Sequence, residues 1–349
     1  MQIGAFDEPP ILADADAIGV PQAIALGMWR IVLPLPFALA AVNVYVLHGD
    51  GEWCLIDGGL GTRASDAALA KGLAELGITY ADLSTLVLTH SHPDHCAPMG
   101  DIVALMPSTS CVLMLGLEAD VLYQMWGPQA KLAHRALYDL RCLGGLDATQ
   151  ADLGIQGMMQ MGRLMRLPAR DRITELHDGE TVQLAGQPWQ IHWTPGHAEG
   201  HICLVNESTL ILGDHILPRI SPNISLYPRS RPDPVQDYRD SLDRIAALPI
   251  AEPRAFPGHG LPFTALATRI AELHASTERR SQKTLTALRE ATTPLTALAV
   301  AETIFSGRLH DADDRWMALG ETQAHLEHLR LHGQAQRTDR NGVAYYHAQ

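Results

Sequence analysis

From Thr89 to His95 the chain reads Thr-His-Ser-His-Pro-Asp-His, which places His90, His92, Asp94 and His95 within six residues. Neutral imidazole and carboxylate are the usual ligands of zinc, iron and manganese. Alternate side chains of an extended segment point the same way, so His90 and His92 can face one ion. Asp94 and His95 follow Pro93, a residue suited to the first turn of a helix because its missing N–H is not needed there. They can face a second ion close by. Three further candidates stand in the second half, each beside a glycine: His197 after Pro195 and Gly196, Asp214 after Gly213, and His259 between Gly258 and Gly260. Glycine lets a backbone approach a crowded centre. A polar loop facing solvent is the alternative for the first cluster alone, and the later stations weigh against it.

The elements around these residues are readable from local pattern. Leu86, Val87 and Leu88 form an apolar run between Thr85 and Thr89 and read as a buried strand. A strand ending in a ligand cluster presents it at a sheet edge, within reach of substrate. Residues 29–33, 42–47 and 53–56 also read as strands, the last two joined in a hairpin at Gly49-Asp50-Gly51. The third runs into Asp57-Gly58-Gly59, where Asp57 is either a turn residue or a carboxylate that orients a ligand. Residues 65–76 read as a helix with Ser65 as N-cap, Leu69, Leu73 and Leu76 on one face, and Gly77 as its stop. Residues 111–115 suggest another strand.

Residues 117–168 are helical in propensity and carry Met125, Met158, Met159, Met161 and Met165. Methionine adapts to irregular apolar shapes. The segment is either an insert that covers the metal site and lines an apolar pocket, or a helical hairpin packed on the core. The second reading is favoured for most of these methionines. Strand texture resumes at 181–184, 189–193, 202–205 and 210–212. His192 and His201 read as structural, and His215 should point away from Asp214. Arg219, Asn223 and Tyr227 lie in the loop 217–227 and either contact substrate or are plain surface polarity. Residues 264–291 read as one long helix.

The 349 residues are 46% hydrophobic, enough for a large domain and a small one. A net charge of −13 disfavours a general nucleic-acid binder. Five cysteines without a CxxC pair argue against a disulfide framework and for a reducing compartment. Residues 1–27 read as loop, broken by Pro9, Pro10 and Pro21, and residues 1–20 lack the apolar core of a signal peptide. The run 31–47 is interrupted by Pro34, Pro36 and Asn43 and is too short to span a bilayer. A cytoplasmic protein is expected.

Taken together, Asp57-Gly-Gly, His90-x-His92-x-Asp94-His95, Pro-Gly-His197, Gly-Asp214 and Gly-His259-Gly resemble the metallo-β-lactamase-fold superfamily over residues 30 to 260. The resemblance implies an α/β fold, an αββα sandwich with a dinuclear site at the edge of its two sheets. One ion would be held by His90, His92 and His197, the other by Asp94, His95 and His259, with Asp214 bridging. Two divalent ions follow, zinc first and iron or manganese as alternatives. Asp94 and Asp214 would then stand closest to the chemistry, in which a shared water is acidified and attacks. The commonest zinc β-lactamases carry cysteine where this chain has Asp214. Aspartate there resembles glyoxalase-II-like thioesterases, lactonases and phosphodiesterases, and Cys96 would pack behind the site. The expectation is a dinuclear hydrolase of an ester or thioester, with a single-strand-specific endoribonuclease as the alternative.

The tail completes the reading. Residues 295–305 and 316–331 suggest helices, and Asn341-Gly342 joins 334–340 to 343–347 as a hairpin. Helix, helix, hairpin is a winged-helix pattern, and it resembles the C-terminal domain of a subgroup that includes a mitochondrial endoribonuclease and fungal polyketide thioesterases. The expected division is a catalytic domain over 1–291 and a winged-helix-like domain over 292–349. The tail holds seven acidic residues against five arginines, so it reads as a packing or dimerisation module. The expected partner is a small-molecule or acyl-carrier substrate, with a homodimer as a further option, and neither nucleic acid nor membrane. A chain ending near Ala291 is expected to keep its metal if it stays soluble, with lost solubility or lost dimerisation as the risk of exposing the apolar face the tail packs on.

Overall fold

The structure is a computed structural model and describes residues 17–37 and 39–349. The expectation of a leaderless loop over residues 1–16 lies outside the described residues. Seven strands form the first sheet in sequence order: β1 (Gln22–Ala25), β2 (Met28–Pro34), β3 (Ala41–Gly49), β4 (Glu52–Ile56), β5 (Leu83–Val87), β6 (Cys111–Leu115) and β7 (Ile173–Leu176). Pairing is antiparallel from β1 to β4 and parallel from β4 to β7. The second sheet contains β8 (Thr181–Leu184), β9 (Gln187–Trp193), β10 (Ile202–Asn206) and β11 (Thr209–Gly213) as an antiparallel series, with β12 (Arg254–Pro257) added parallel to β11.

Side-chain alternation, with its period of two, sorts the strand residues into layers. In β3, Tyr45 and Leu47 join Ile202 and Leu204 of β10 in the core between the sheets. Val42, Val44 and Val46 face the opposite way, onto α1 (Arg63–Glu75) and α3 (Met99–Leu105), which follows the single turn α2 (Pro93–Cys96). An insert of three helices comes next: α4 (Gly116–Trp126), α5 (Ala130–Leu143) and α6 (Ala148–Gly162). Cys203 and Val205 of β10 face outward onto α7 (Pro234–Ala246) and α8 (Leu266–Glu290). The result is the expected αββα sandwich.

Several local readings are corrected. The cap of α1 is Thr62, whose side chain accepts from Ser65 N, and Ser65 is buried inside the first turn. Strand β1 occupies part of the stretch read as loop. Strands β7 and β12, four residues each, were not expected. Helix α7 had a readable start, with Asp233 accepting from Gln236 N and Pro234 in the first turn. The insert has three helices where a hairpin was one of the two readings.

The last segment begins with the two-residue strand β13 (Leu295–Thr296), where a helix was expected from 295; Thr296 instead caps α9 (Ala297–Ile304). Helix α10 (Ala312–Leu331) and the hairpin of β14 (Ala335–Arg340) and β15 (Val343–Ala348) follow, and β15 is the central strand of a three-stranded sheet. Thirteen of the twenty residues of α10 are buried, because it is packed against α5, α6, α7, α8 and α9 at once. Among the described residues no helix is long and apolar enough to cross a membrane.

Candidate metal centre

The structure brings all seven candidate residues to one point at the shared edge of the two sheets. Strand β5 ends at Val87, two residues before the buried Thr89-His90 pair, and His92 is the N-cap of α2 with Pro93 in its first turn. The rings of His90, His92 and His197 lie 4.7 Å, 4.5 Å and 5.2 Å apart, centroid to centroid. Asp214 reaches both halves of the cluster: its Oδ1 is 3.4 Å from His95 Nε2, and its Oδ2 is 3.1 Å from His259 Nε2 and 3.7 Å from His197 Nε2. Asp94 Oδ2 lies 3.3 Å from His259 Nε2 and 3.8 Å from His95 Nε2. Donor atoms of His90, His92 and His197, and separately of Asp94, His95 and His259, all fall within 4.8 Å of one another.

The donor atoms fit cations. Nε2 of His90, His95, His197 and His259 and Oδ1 of Asp214 are buried without a hydrogen-bond partner. An unsatisfied buried polar group costs about 1–3 kcal/mol, so five converging on one space is a heavy penalty unless a cation meets them. The opposite ring nitrogens are all occupied. His95 Nδ1 donates to Asp57 Oδ2 (2.9 Å), His197 Nδ1 to the Asn223 carbonyl (2.8 Å) and His259 Nδ1 to the Ala41 carbonyl (2.7 Å). His90 Nδ1 donates to Thr89 Oγ1 (3.0 Å), whose hydroxyl donates in turn to Asp57 (2.8 Å). Such bonds fix the tautomer that leaves Nε2 free to ligate.

Asp57 is therefore the orienting carboxylate. It sits in the left-handed region at φ 61°, uncommon for a residue with a Cβ, and Thr89 N holds it there at 2.8 Å. An Asp57→Ala chain should bind metal about 10–100-fold more weakly, the usual effect of removing such a partner. Chelator competition measures this, and unaltered affinity would refute the role.

Sequence reasoning missed Glu118. Its buried carboxylate accepts from Ser91 N (2.8 Å) and Gly200 N (2.6 Å), tying the His90–His92 loop to the one after His197. The available signal was an acid just after the apolar stretch of β6. Asn43, noted only as an interruption, donates to the carbonyls of Pro257 (2.9 Å) and Gly260 (2.8 Å) and fixes the His259 turn. Gly258 is required there, since a Cβ would lie 2.2 Å from Asp214 Oδ1. His201 accepts from Asp214 N at 3.1 Å, His215 packs on Tyr238, and Cys96 is buried, as expected.

Charge follows geometry. Burial, helped by His95 and His92, holds the His90 imidazole well below its ordinary range, and burial beside His92 takes His197 down to about 4. Burial works against the charged form of His259 too, but Asp214 and Asp94 outweigh it and lift that imidazole to about 9. Burial would raise Asp214, yet His259 and His95 keep it well below the usual carboxylate range. The Asp94–Asp214 side thus calls for positive charge, which protons or cations supply.

Above the cluster lies a cavity of about 940 Å³. His92, Asp94, His197, Asp214 and His259 reach it, and Met125, Trp126, Met158, Met161, Tyr227 and Trp316 are among its walls. The insert therefore meets both of its readings: Met165 packs on the outer core of the first sheet, while Met159 is exposed. Asn223 also lines the cavity; Arg219 is exposed and does not.

The sequence profile of the Metallo-beta-lactamase superfamily matches residues 39–259. The chain belongs to that superfamily. A second profile, the metallo-beta-lactamase-like C-terminal domain, matches residues 282–349. A crystal structure of a metallo-beta-lactamase family protein from Thermus thermophilus is 32% identical and superposes with a TM-score of 0.80, covering 94% of this chain and 100% of that one. The probable metallo-hydrolase YqjP of Bacillus subtilis is 29% identical over 85% of this chain and 90% of its own length. An atrochrysone carboxyl ACP thioesterase of Aspergillus fumigatus is 22% identical over 82% of this chain and 75% of its own. Fungal relatives are longer, and this chain spans 62% of the length of one from Aspergillus niger.

In this metallo-beta-lactamase-fold hydrolase the C-terminal segment also holds the loop that orients His197. Asn223, whose carbonyl orients His197, donates through Nδ2 to Glu321 of α10 at 3.1 Å. Leu226 N donates to the Gly320 carbonyl at 3.1 Å, and buried Arg141 joins the Leu226 carbonyl (3.0 Å) to Gln323 (2.7 Å).

Proposed function

We propose that the chain hydrolyses an ester or thioester of a bulky apolar acyl group, of acyl-thioester or lactone type. The observation that carries this reading is the cavity, a chamber walled by methionine and tryptophan that opens onto the histidine–aspartate cluster. Pockets of this size bury most of a drug-sized ligand. The thioesterase among the relatives supports the same bond class. We assign two divalent ions, zinc first, to His90, His92 and His197 and to Asp94, His95 and His259, with Asp214 between them. Bound there, divalent ions supply Lewis acidity, lowering the pKa of water and polarising a carbonyl.

The chain's own part is positioning. The Nδ1 bonds aim the imidazoles, and Glu118 and Asn43 pin the loops that carry them. Asp94 keeps 20% of its side chain exposed and reaches the cavity, so we assign it the proton of the attacking water. Water adds to the acyl carbon, the C–S or C–O bond breaks, and an acid leaves with a thiol or alcohol. We read residues 1–291 as the catalytic domain and 292–349 as winged-helix-like. Asp311, Asp313 and Asp314 reach the same cavity, a poor surface for the phosphodiester backbone of RNA.

The test is a panel of short and bulky thioesters, lactones, a phosphodiester reporter and short RNA, run on metal-analysed protein. Two ions per chain at the histidine–aspartate cluster and a preference for bulky apolar acyl thioesters or esters are expected. Turnover confined to the phosphodiester or RNA would overturn the reading.

A further inference from the structure

We propose a second transition-metal site, separate from the catalytic cluster, formed by Asp233, His328 and His332. His328 lies in the last turn of α10 and His332 caps its end, four residues on, so the two share a helix face. Their rings are 4.4 Å apart. Asp233 comes from a distant part of the sequence, as the residue that caps α7. His328 Nδ1 is 3.0 Å from both oxygens of Asp233, and His332 Nε2 is 3.2 Å from Oδ2. All three donor atoms fall within 4.8 Å.

These separations suit an ion. Zinc binds imidazole and carboxylate at about 2.0–2.2 Å in tetrahedral geometry, which places ligand atoms roughly 3.3 Å apart. Two imidazoles and one carboxylate select zinc, nickel or copper over calcium or magnesium, which prefer oxygen. The negative end of the α10 dipole favours a cation here, and Asp233 stands between it and the positive start of α7. His332 is 47% exposed, which gives the ion a way in and leaves water for the remaining position. The ion would clamp α10 to the start of α7.

The experiment uses the full-length chain with its catalytic ions in place, dialysed against zinc and compared with His332→Ala and Asp233→Asn. The second variant keeps a capping side chain. Elemental analysis should find one ion fewer per chain in each variant, with hydrolysis unchanged. Cobalt exchanged into the site should give ligand-field bands that His332→Ala lacks. Added zinc should raise the thermal midpoint of the wild type alone. Equal ion counts in all three chains would overturn the proposal and leave an ion pair between Asp233 and the two histidines. That result would leave the catalytic ion count untouched, so it is distinguishable from failure of the hydrolase reading.

Discussion

An Asp214→Ala chain should lose about 10⁴-fold in turnover, the scale on which removal of a catalytic group acts. Asp214 alone approaches imidazoles from both halves of the cluster, at 3.1 Å and 3.4 Å on the Asp94 side and 3.7 Å at His197. The ion beside Asp94, His95 and His259 should therefore weaken most. The fold should survive, because the inter-sheet core around Tyr45, Ile202 and Leu204 does not include this residue and apolar burial drives folding. Steady-state rates with elemental analysis and thermal melting would measure all three outcomes. Unchanged turnover would remove Asp214 from the site.

Truncation after Ala291 should have the other large effect: the contacts of α10 sharpen the solubility risk already legible in the sequence and add a cost in metal affinity. Without α10, the buried Leu137, Leu285 and Leu288 lose their cover. Each is worth about 1.5–3 kcal/mol when fully buried, together as much as roughly 5–9 kcal/mol, comparable with the whole stability of a domain. The Asn223 loop also loses Gly320 and Glu321, so His197 loses a fixed orienting partner. The truncated chain should aggregate or, if soluble, bind metal more weakly than the intact chain. Glu321→Gln, which keeps the packing, should show a milder loss of metal affinity. A soluble truncation with full metal content would refute the coupling.

Much of this was legible in the sequence because ligands are chemically scarce residue types in fixed turns. The candidate cluster and the Asn341-Gly342 hairpin rest on local pattern, and the αββα layering followed from the resemblance that the motifs carry. What stayed hidden depends on partners distant in sequence. Glu118 is recognisable only when Ser91 and Gly200 lie against it. Ala41 and Asn223 act on His259 and His197 through their carbonyls, which any residue type offers. Strands β7 and β12 are each paired with a parallel neighbour distant in sequence. The burial of α10 on several sides follows from five helices, α5 to α9, meeting it at once, which no single amphipathic stripe announces.

The seam between α6 and α10 limits how such a chamber can diversify. A Cβ on Gly154 would sit 2.1 Å from the Trp316 ring, and one on Gly157 would sit 2.9 Å from Asp313. Gly154, set against the ring, cannot therefore change by itself, whereas the terminal oxygen of Asp313 can swing aside from a side chain at 157. A larger side chain at 154 demands a smaller one on α10, and the exchange would reshape the wall without disturbing the histidine–aspartate frame beneath. Paired drift of this kind offers a route by which substrate range can shift over evolutionary time while the hydrolytic chemistry is inherited intact.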